Sequence, residues 1–425
     1  MAAKPPEDLL FNPGGRLVIR VDVWWSRCAH GADSLPYKTI GAESQQRILG
    51  NMSDFDVIVI GLGAMGSATA QHLAQRGRRV LGLEQFARGH SLGSSHGESR
   101  IIREIYFEHP LYVPIVQRAY ELWSDLEREA GERLLTITGG LMIGPRDGAL
   151  VAGVLRSAAT HDIAHEILSA AEVSRRFPGF SLREDAMAVV DKRAGILDAD
   201  GCVRVQLGVA EAHGAELHFE ERVMRWEAGG ESVLVETNRG RYSARQLVLA
   251  AGPWMSAQLG GSLLVERQVL AWFEPRAHAE WYDPSSCPVY LWEYPDGYLG
   301  YGFPRLSTGV KAGVFHTGDV VDPDAMQRSV DPREIERVRD ALRQILPGVA
   351  AGDLRDAKVC PFTNTPDSHF IIDWHPQFAN VLVSSPCSGH GFKFASAIGE
   401  LQADLLTEGT SRFDLSLFRM NRFNL

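Results

Sequence analysis

The stretch Ser95-His-Gly-Glu-Ser-Arg-Ile-Ile-Arg103 sets Arg100 and Arg103 three apart beside His96. A guanidinium offers a planar fork that matches a carboxylate, so the chemistry predicted here is recognition of a small anion. Surface ion pairing by the same arginines is the plainer alternative. Upstream, Gly61-Leu-Gly-Ala-Met-Gly66 follows an apolar run over 57–60, and Glu84 closes the next apolar run, 18 residues after Gly66. Gly61 allows a tight turn, Gly63 lets the backbone approach a pyrophosphate seated on a helix N-terminus, and Gly66 lets that helix pack close to its strand. Glu84 stands where a carboxylate accepts ribose hydroxyls. This order predicts a dinucleotide site for NAD or FAD, against the alternative of an ordinary glycine turn in a βαβ unit.

Three further residues draw attention by type and place. Cys360, in Lys358-Val-Cys-Pro-Phe-Thr-Asn-Thr-Pro366, follows a predicted strand and is either a nucleophile or a packed thiol. Lys311 lies inside the β run Val310-Lys-Ala-Gly-Val-Phe-His316, where a lysine either snorkels outward or serves function. Lys393 follows Gly389-His-Gly-Phe392 at a helix start, where the dipole disfavours a cation. That placement hints at function, with an exposed first-turn lysine as the alternative.

These residues need elements to position them. Apolar periodicity predicts helices over 114–130 (Ile115, Ala119, Leu122 and Leu126 inward, Gly131 as stop), 201–213, 332–346 and 392–406. In the third, Asp331 is the N-cap, Ile335, Val338, Leu342 and Ile345 form the buried face, and Pro347 lies beyond the end. A strand is expected over 137–143. The run Gln246-Leu-Val-Leu-Ala-Ala-Gly-Pro253 has the character of a parallel strand returning to the nucleotide sheet. Runs at 268–273, 289–292 and 309–315 are spaced as in an antiparallel sheet. The polar stretch 90–100 is placed to leave the sheet and line a cleft.

A chain of 425 residues is expected to form two domains. Its 45% hydrophobic and 23% charged content is that of a soluble globular protein. A net charge of −10 argues against a polyanion-binding surface, so no nucleic-acid partner is expected. Cys28, Cys202, Cys287, Cys360 and Cys387 are odd in number and contain no C-x-x-C pair, which predicts reduced thiols in the cytoplasm and no metal site. No stretch reaches the roughly 20 apolar residues of a membrane helix. The apolar run at 17–23 is broken by Arg20 and Asp22, which speaks against a signal peptide. Met52, four residues before the first strand, reads as the native start, with 1–51 an irregular extension that adds nothing to the chemistry.

In this order, the glycine turn, Ser95–Arg103, Ala250-Ala-Gly-Pro-Trp254, Thr365-Pro-Asp-Ser-His-Phe-Ile-Ile-Asp373 and Ser388-Gly-His-Gly-Phe-Lys-Phe394 resemble the monomeric sarcosine oxidase family of flavoenzymes, from about residue 53 to the end. The resemblance implies an α/β fold: a Rossmann-type, glutathione-reductase-like FAD-binding domain (52–136, 196–268 and 365–425) interleaved with an α+β substrate domain (137–195 and 269–364) built on a mainly antiparallel sheet. It selects FAD, and it implies covalent attachment of the flavin through Cys360. It implies FAD contacts at Gly61, Gly63, Ala64, Met65, Gly66, Glu84, Gln85, Ser94, Ser95, His96, Ser99, Arg100, Val223, Ala251, Gly252, Trp254, Gly389, His390, Gly391 and Lys393. Arg103, assisted by Lys393, matches the arginine that pairs with the substrate carboxylate. Lys311 matches the lysine that promotes reaction of reduced flavin with oxygen, His96 and Arg100 match groups beside the flavin ring, and Tyr301 and His316 match pocket residues.

Phe362, Leu291 and Pro386-Cys387 depart from the family pattern, where a tyrosine, a methionine and Gly-Phe are usual. The pocket wall is thereby altered while the catalytic frame is kept. The expected activity is oxidation of a secondary amino acid, N-methyl or cyclic, to an imine, with O2 reduced to H2O2 by a monomeric enzyme. A flavin dehydrogenase using another acceptor and a non-catalytic dinucleotide-binding protein are the alternatives.

Overall fold

The computed structural model describes residues 54–294, 297–316 and 318–423, and upstream only the backbone of three short strands, Leu9–Phe11, Leu17–Ile19 and Tyr37–Thr39. The expected irregular extension and the start at Met52 otherwise fall outside the described residues.

Strand Phe55–Ile60 is buried on both faces: Val57 and Val59 enter one core, Ile58 and Ile60 another. It lies in the middle of a mixed sheet, parallel to Val80–Leu83 on one side and to Arg241–Leu249 on the other. The end of Arg241–Leu249 also runs parallel to Phe378–Ser385, so the predicted return of 246–253 to this sheet is observed. An antiparallel ribbon, Ser232–Thr237 and Val223–Gly229, extends the far edge. One face is covered by helix Ala64–Gln75, which packs against Ala199–Ala212 and Ala395–Glu408. That contact is close, since a Cβ on Gly399 would lie 2.6 Å from the backbone of Ala68.

A second sheet of eight strands runs Asp353–Asn364, Leu264–Glu274, Val310–Val314, Leu299–Arg305, Val289–Glu293, Gly140–Pro145, Ala186–Asp191, Glu166–Ser169. All pairings are antiparallel except Val289–Glu293 with Gly140–Pro145. Leu264–Glu274 is one continuous strand across the expected boundary at 268. One face of this sheet packs on helix Pro332–Arg343 through Ile335, Val338 and Leu342, and the other holds Leu270, Trp272, Leu291, Tyr301, Phe303 and Cys360. Ser99–Ile102, Gly195–Asp198 and Leu135–Ile137 form a small third sheet between the two.

Two expectations need correction. The strand predicted over 137–143 is broken at Thr138 and Gly139: Leu135–Ile137 joins the small sheet, and Gly140–Pro145 the eight-stranded one. The helix predicted over 332–346 ends at Arg343, and Pro347 opens a short helix, Pro347–Ala350, because proline suits a first helical turn. Its start is as expected, with Asp331 accepting from Arg333 N within a capping box with Glu334. Helix Tyr112–Ala130 starts two residues before its predicted start and ends where expected, and the helix predicted over 201–213 is Ala199–Ala212, capped by Asp198. Among the described residues no helix is long and apolar enough to cross a membrane, and no group of three or more His, Cys, Asp or Glu side chains gathers as metal ligands.

Candidate active site

A single cavity of about 1120 Å³ runs from the glycine turn to Cys360 and Lys393. At its first end the chain builds the wall from backbone. A Cβ on Gly66 would lie 1.8 Å from the carbonyl oxygen of Gly61, so helix and turn touch as closely as glycine allows. Helix Ala64–Gln75 opens with its Ala64 N–H donating to Ser95 Oγ at 3.0 Å. Glu84 accepts from Leu62 N (3.0 Å) and Phe86 N (3.1 Å), which fixes its carboxylate on the cavity wall with lone pairs left for hydroxyls. An open groove at a helix N-terminus, with an acid held at the neighbouring strand end, fits the pyrophosphate and ribose of a dinucleotide.

The other end is made of side chains. Arg103, buried to 2% exposure, leaves the end of Ser99–Ile102 and grips Glu108 with its NH2 group, at 2.7 Å to each carboxylate oxygen. The guanidinium also donates to Ile105 O and lies 3.9 Å over the Tyr106 ring. Burial works against both charges of the pair, and their mutual attraction prevails: Arg103 is raised and Glu108 lowered from its ordinary pKa. Lys393 sits on the 3-10 turn Phe392–Phe394, ahead of helix Ala395–Glu408, so the helix predicted from 392 begins with a tighter turn. Its Nζ donates to His390 O (2.5 Å) and Tyr106 Oη (3.3 Å). Burial, then Arg103, holds its pKa well below the lysine range, against the pull of Glu108. The turn before it is tight, since a Cβ on Gly391 would lie 1.6 Å from Pro386 O.

His390 donates from Nε2 to Ser368 O at 3.0 Å, because a carbonyl can only accept; its bare Nδ1 therefore accepts the Tyr106 hydroxyl at 2.6 Å. Burial lowers His390 to about 4, so the ring is neutral near pH 7. Cys360, 2% exposed, pairs with Gln268 across Asp353–Asn364 and Leu264–Glu274 and faces the cavity. Arg100 reaches its Sγ at 3.8 Å while donating to Ser94 O and His96 O, which ties the 94–99 loop to the cysteine. Lys311, 1% exposed, also faces the cavity, and burial followed by Arg100 depresses its pKa strongly.

Nearly all the residues singled out in the sequence come together on this one wall, and three do not. Gly66 packs behind the turn. His96 is buried behind the wall with Nε2 unpartnered, lowered to about 4 by burial and then by Arg100. His316 has a side chain 40% exposed and tied to Glu266 at 3.1 Å. The residues that depart from the family pattern, Leu291, Phe362, Pro386 and Cys387, all line the cavity, beside Tyr301, Phe303 and Phe315. Sequence reading passed over Glu108 and Tyr106; a glutamate five residues after the key arginine was the available signal, but no regular element places such a residue.

The comparisons agree with this geometry. Residues 56–405 match the family model for FAD dependent oxidoreductase. The monomeric sarcosine oxidase of Streptomyces avermitilis is 43% identical over 375 residues, 87% of this chain and 97% of that protein. The N-methyl-L-tryptophan oxidase of Yersinia pestis is 34% identical over 374 residues, 87% of this chain and 100% of that protein. Among solved structures, the open form of NikD, an unusual amino acid oxidase essential for nikkomycin biosynthesis, superposes with a TM-score of 0.74 at 27% identity, covering 86% of this chain and 97% of that one. A groove shaped for a dinucleotide, continuous with a pocket of buried cations, is thus explained: the chain is an FAD-dependent oxidoreductase and belongs to the monomeric sarcosine oxidase family.

Proposed function

We propose that the protein, as a cytoplasmic monomer, oxidises a secondary amino acid, N-methyl or cyclic, to the imine, with O2 as electron acceptor and H2O2 as co-product. The observation that carries this reading is the convergence of three buried basic side chains, Arg103, Lys393 and Lys311, on an apolar cavity continuous with the glycine-turn groove. Bound FAD would supply the two-electron chemistry. The Arg103 fork takes the substrate carboxylate, for which Glu108 must give way. Lys393, held by His390 and Tyr106, adds a second N–H donor. Burial beside the Arg103 guanidinium favours the neutral amine, the form that can be oxidised. Tyr301, Phe315 and Phe362 exclude water and orient the apolar part of the substrate. Cys360 is the thiol placed to tether the flavin, supported by its burial in the cavity wall beside Arg100. Lys311 is the cation that assists reoxidation by O2.

The test is anaerobic addition of sarcosine, other N-methyl amino acids and pipecolate, followed by admission of air. Bleaching of the flavin, then one peroxide per amine consumed, is the expected result. Bleaching that air does not reverse would place the protein among dehydrogenases, and no bleaching by any secondary amino acid would end the proposal. Acid precipitation tests the tether separately: colour should stay with the protein and be released from Cys360→Ala.

A further inference from the structure

Lys311 stands on Val310–Val314 opposite Trp272 of the neighbouring strand, and its ammonium is caged. Nζ donates to Gly97 O at 2.6 Å, Ser99 O at 2.7 Å and Ser99 Oγ at 3.3 Å, which accounts for its three N–H groups. The rings of Phe303 and Trp272 flank it at 4.7 and 5.4 Å. Both carbonyls flank one residue, Glu98, whose φ of +68° is a left-handed conformation that a non-glycine residue holds only when its surroundings impose it.

Those surroundings are specific. The Glu98 carboxylate accepts from Trp272 Nε1 (2.8 Å), from Ser307 Oγ (2.8 Å) and from Thr308 Oγ1 (3.4 Å), on the strand beside Lys311 and on the turn leading into its own. Its N–H donates to Asp200 at 3.0 Å, and its C=O accepts from Ala199 N at 3.1 Å. One side chain thus bolts the 97–99 segment across the second sheet and lays its carbonyls on the Lys311 ammonium. Glu98 itself does not line the cavity.

We propose that Glu98 is the positioning residue for Lys311: its clamp on Trp272 and Ser307 keeps the lysine aimed for the reaction with oxygen, an inference that rests on reading Lys311 as the group that assists reoxidation. Without the clamp the left-handed turn relaxes and the lysine loses its fixed acceptors. Glu98 and Asp200 also place negative charge near the buried cation, opposing burial and Arg100.

The test separates the two half-reactions on flavin-loaded enzyme by stopped flow, reducing with sarcosine without air and then mixing with O2. Glu98→Ala should slow reoxidation at least tenfold and leave the reduction rate within twofold; Glu98→Gln, whose amide can still accept from Trp272 and donate to Ser307, should recover to within threefold of wild type. Ser307→Ala, at an exposed position, should slow reoxidation about threefold and serves if Glu98→Ala does not fold. Lys311→Met is the reference: if it reoxidises normally, the reading of Lys311 fails. If it is slow while Glu98→Ala or, where that does not fold, Ser307→Ala reoxidises within twofold of wild type, or both half-reactions fall together, the clamp proposal is overturned. A Gln variant as slow as Ala would also overturn it, since charge and not the clamp would then be responsible.

Discussion

At the glycine end the cavity wall is built around the turn at 61–65 and the strand end at Glu84, which are close in sequence. At the cysteine end it presents side chains drawn from positions as far apart as Arg103, Lys311, Cys360 and Lys393. The first end depends on close backbone approach at its turn, where Gly61 and Gly66 leave no room for a side chain. The second works through charges withdrawn from water, so its parts are held by mutual pairing and are sensitive to protonation. Binding and reactivity should therefore fail independently when each end is altered.

The largest effect is expected at the first end. Gly66→Val puts a side chain against the Gly61 carbonyl, an overlap no rotamer change relieves, and should weaken FAD retention by at least about 100-fold. The purified variant should be colourless, and a yellow one of normal flavin content would break the comparison. Next is Arg103→Lys, which keeps the charge and loses the fork. KM for carboxylate substrates should rise by roughly two orders of magnitude with flavin content unchanged. An unaltered KM would remove Arg103 from substrate binding. Arg103→Ala is a poorer test, because leaving Glu108 buried without its partner costs about 3–5 kcal/mol of stability.

The response to acid sharpens the contrast further. His96 and His390 at the reactive end, and His72 and His375 in the nucleotide-binding half, are each lowered to about 4, in every case chiefly by burial. Between the ordinary histidine value and 4 the unfolded chain binds more protons than the folded one, so stability is full near pH 7 and is lost as pH falls through that window. Each histidine contributes about 1.4 kcal/mol per pH unit there. Thermal midpoints measured from pH 7 to 4.5 should drop steeply, and His96→Asn with His390→Asn should make that slope shallower. A flat profile would contradict the burial of these rings. The smallest effect is expected for Glu108→Gln: with the competitor for the fork neutralised, KM should fall several-fold, and a rise would show that Glu108 helps to hold the substrate.

Much of this architecture was legible because it depends on local rules. The glycine turn, the doubly buried strand Phe55–Ile60 and the Asp331 capping box are set by neighbours within a few residues. Arg103, Lys311, Cys360 and Lys393 were findable as residues whose type conflicts with, or exceeds, what their element needs. The pairing between them was not. Tyr106 meets His390 across 284 positions, and Arg103 meets Glu108 in a loop with no repeating geometry. The break within 137–143 was hidden for another reason: each half is a good strand, and only tertiary pairing assigns them to different sheets. His316 followed family expectation but is drawn outward by Glu266 on the adjacent strand.

The close contact between Gly399 and Ala68 joins the last long helix of the described residues to the first of them, which has a bearing on biosynthesis. The glycine turn leaves the ribosome early, whereas Cys360, Lys393 and helix Ala395–Glu408 arrive only after most of the chain. A stalled or truncated polypeptide would expose a half-built nucleotide groove without the lysine and cysteine of the reactive end. The packing behind the glycine turn is therefore complete only once helix Ala395–Glu408 has been made.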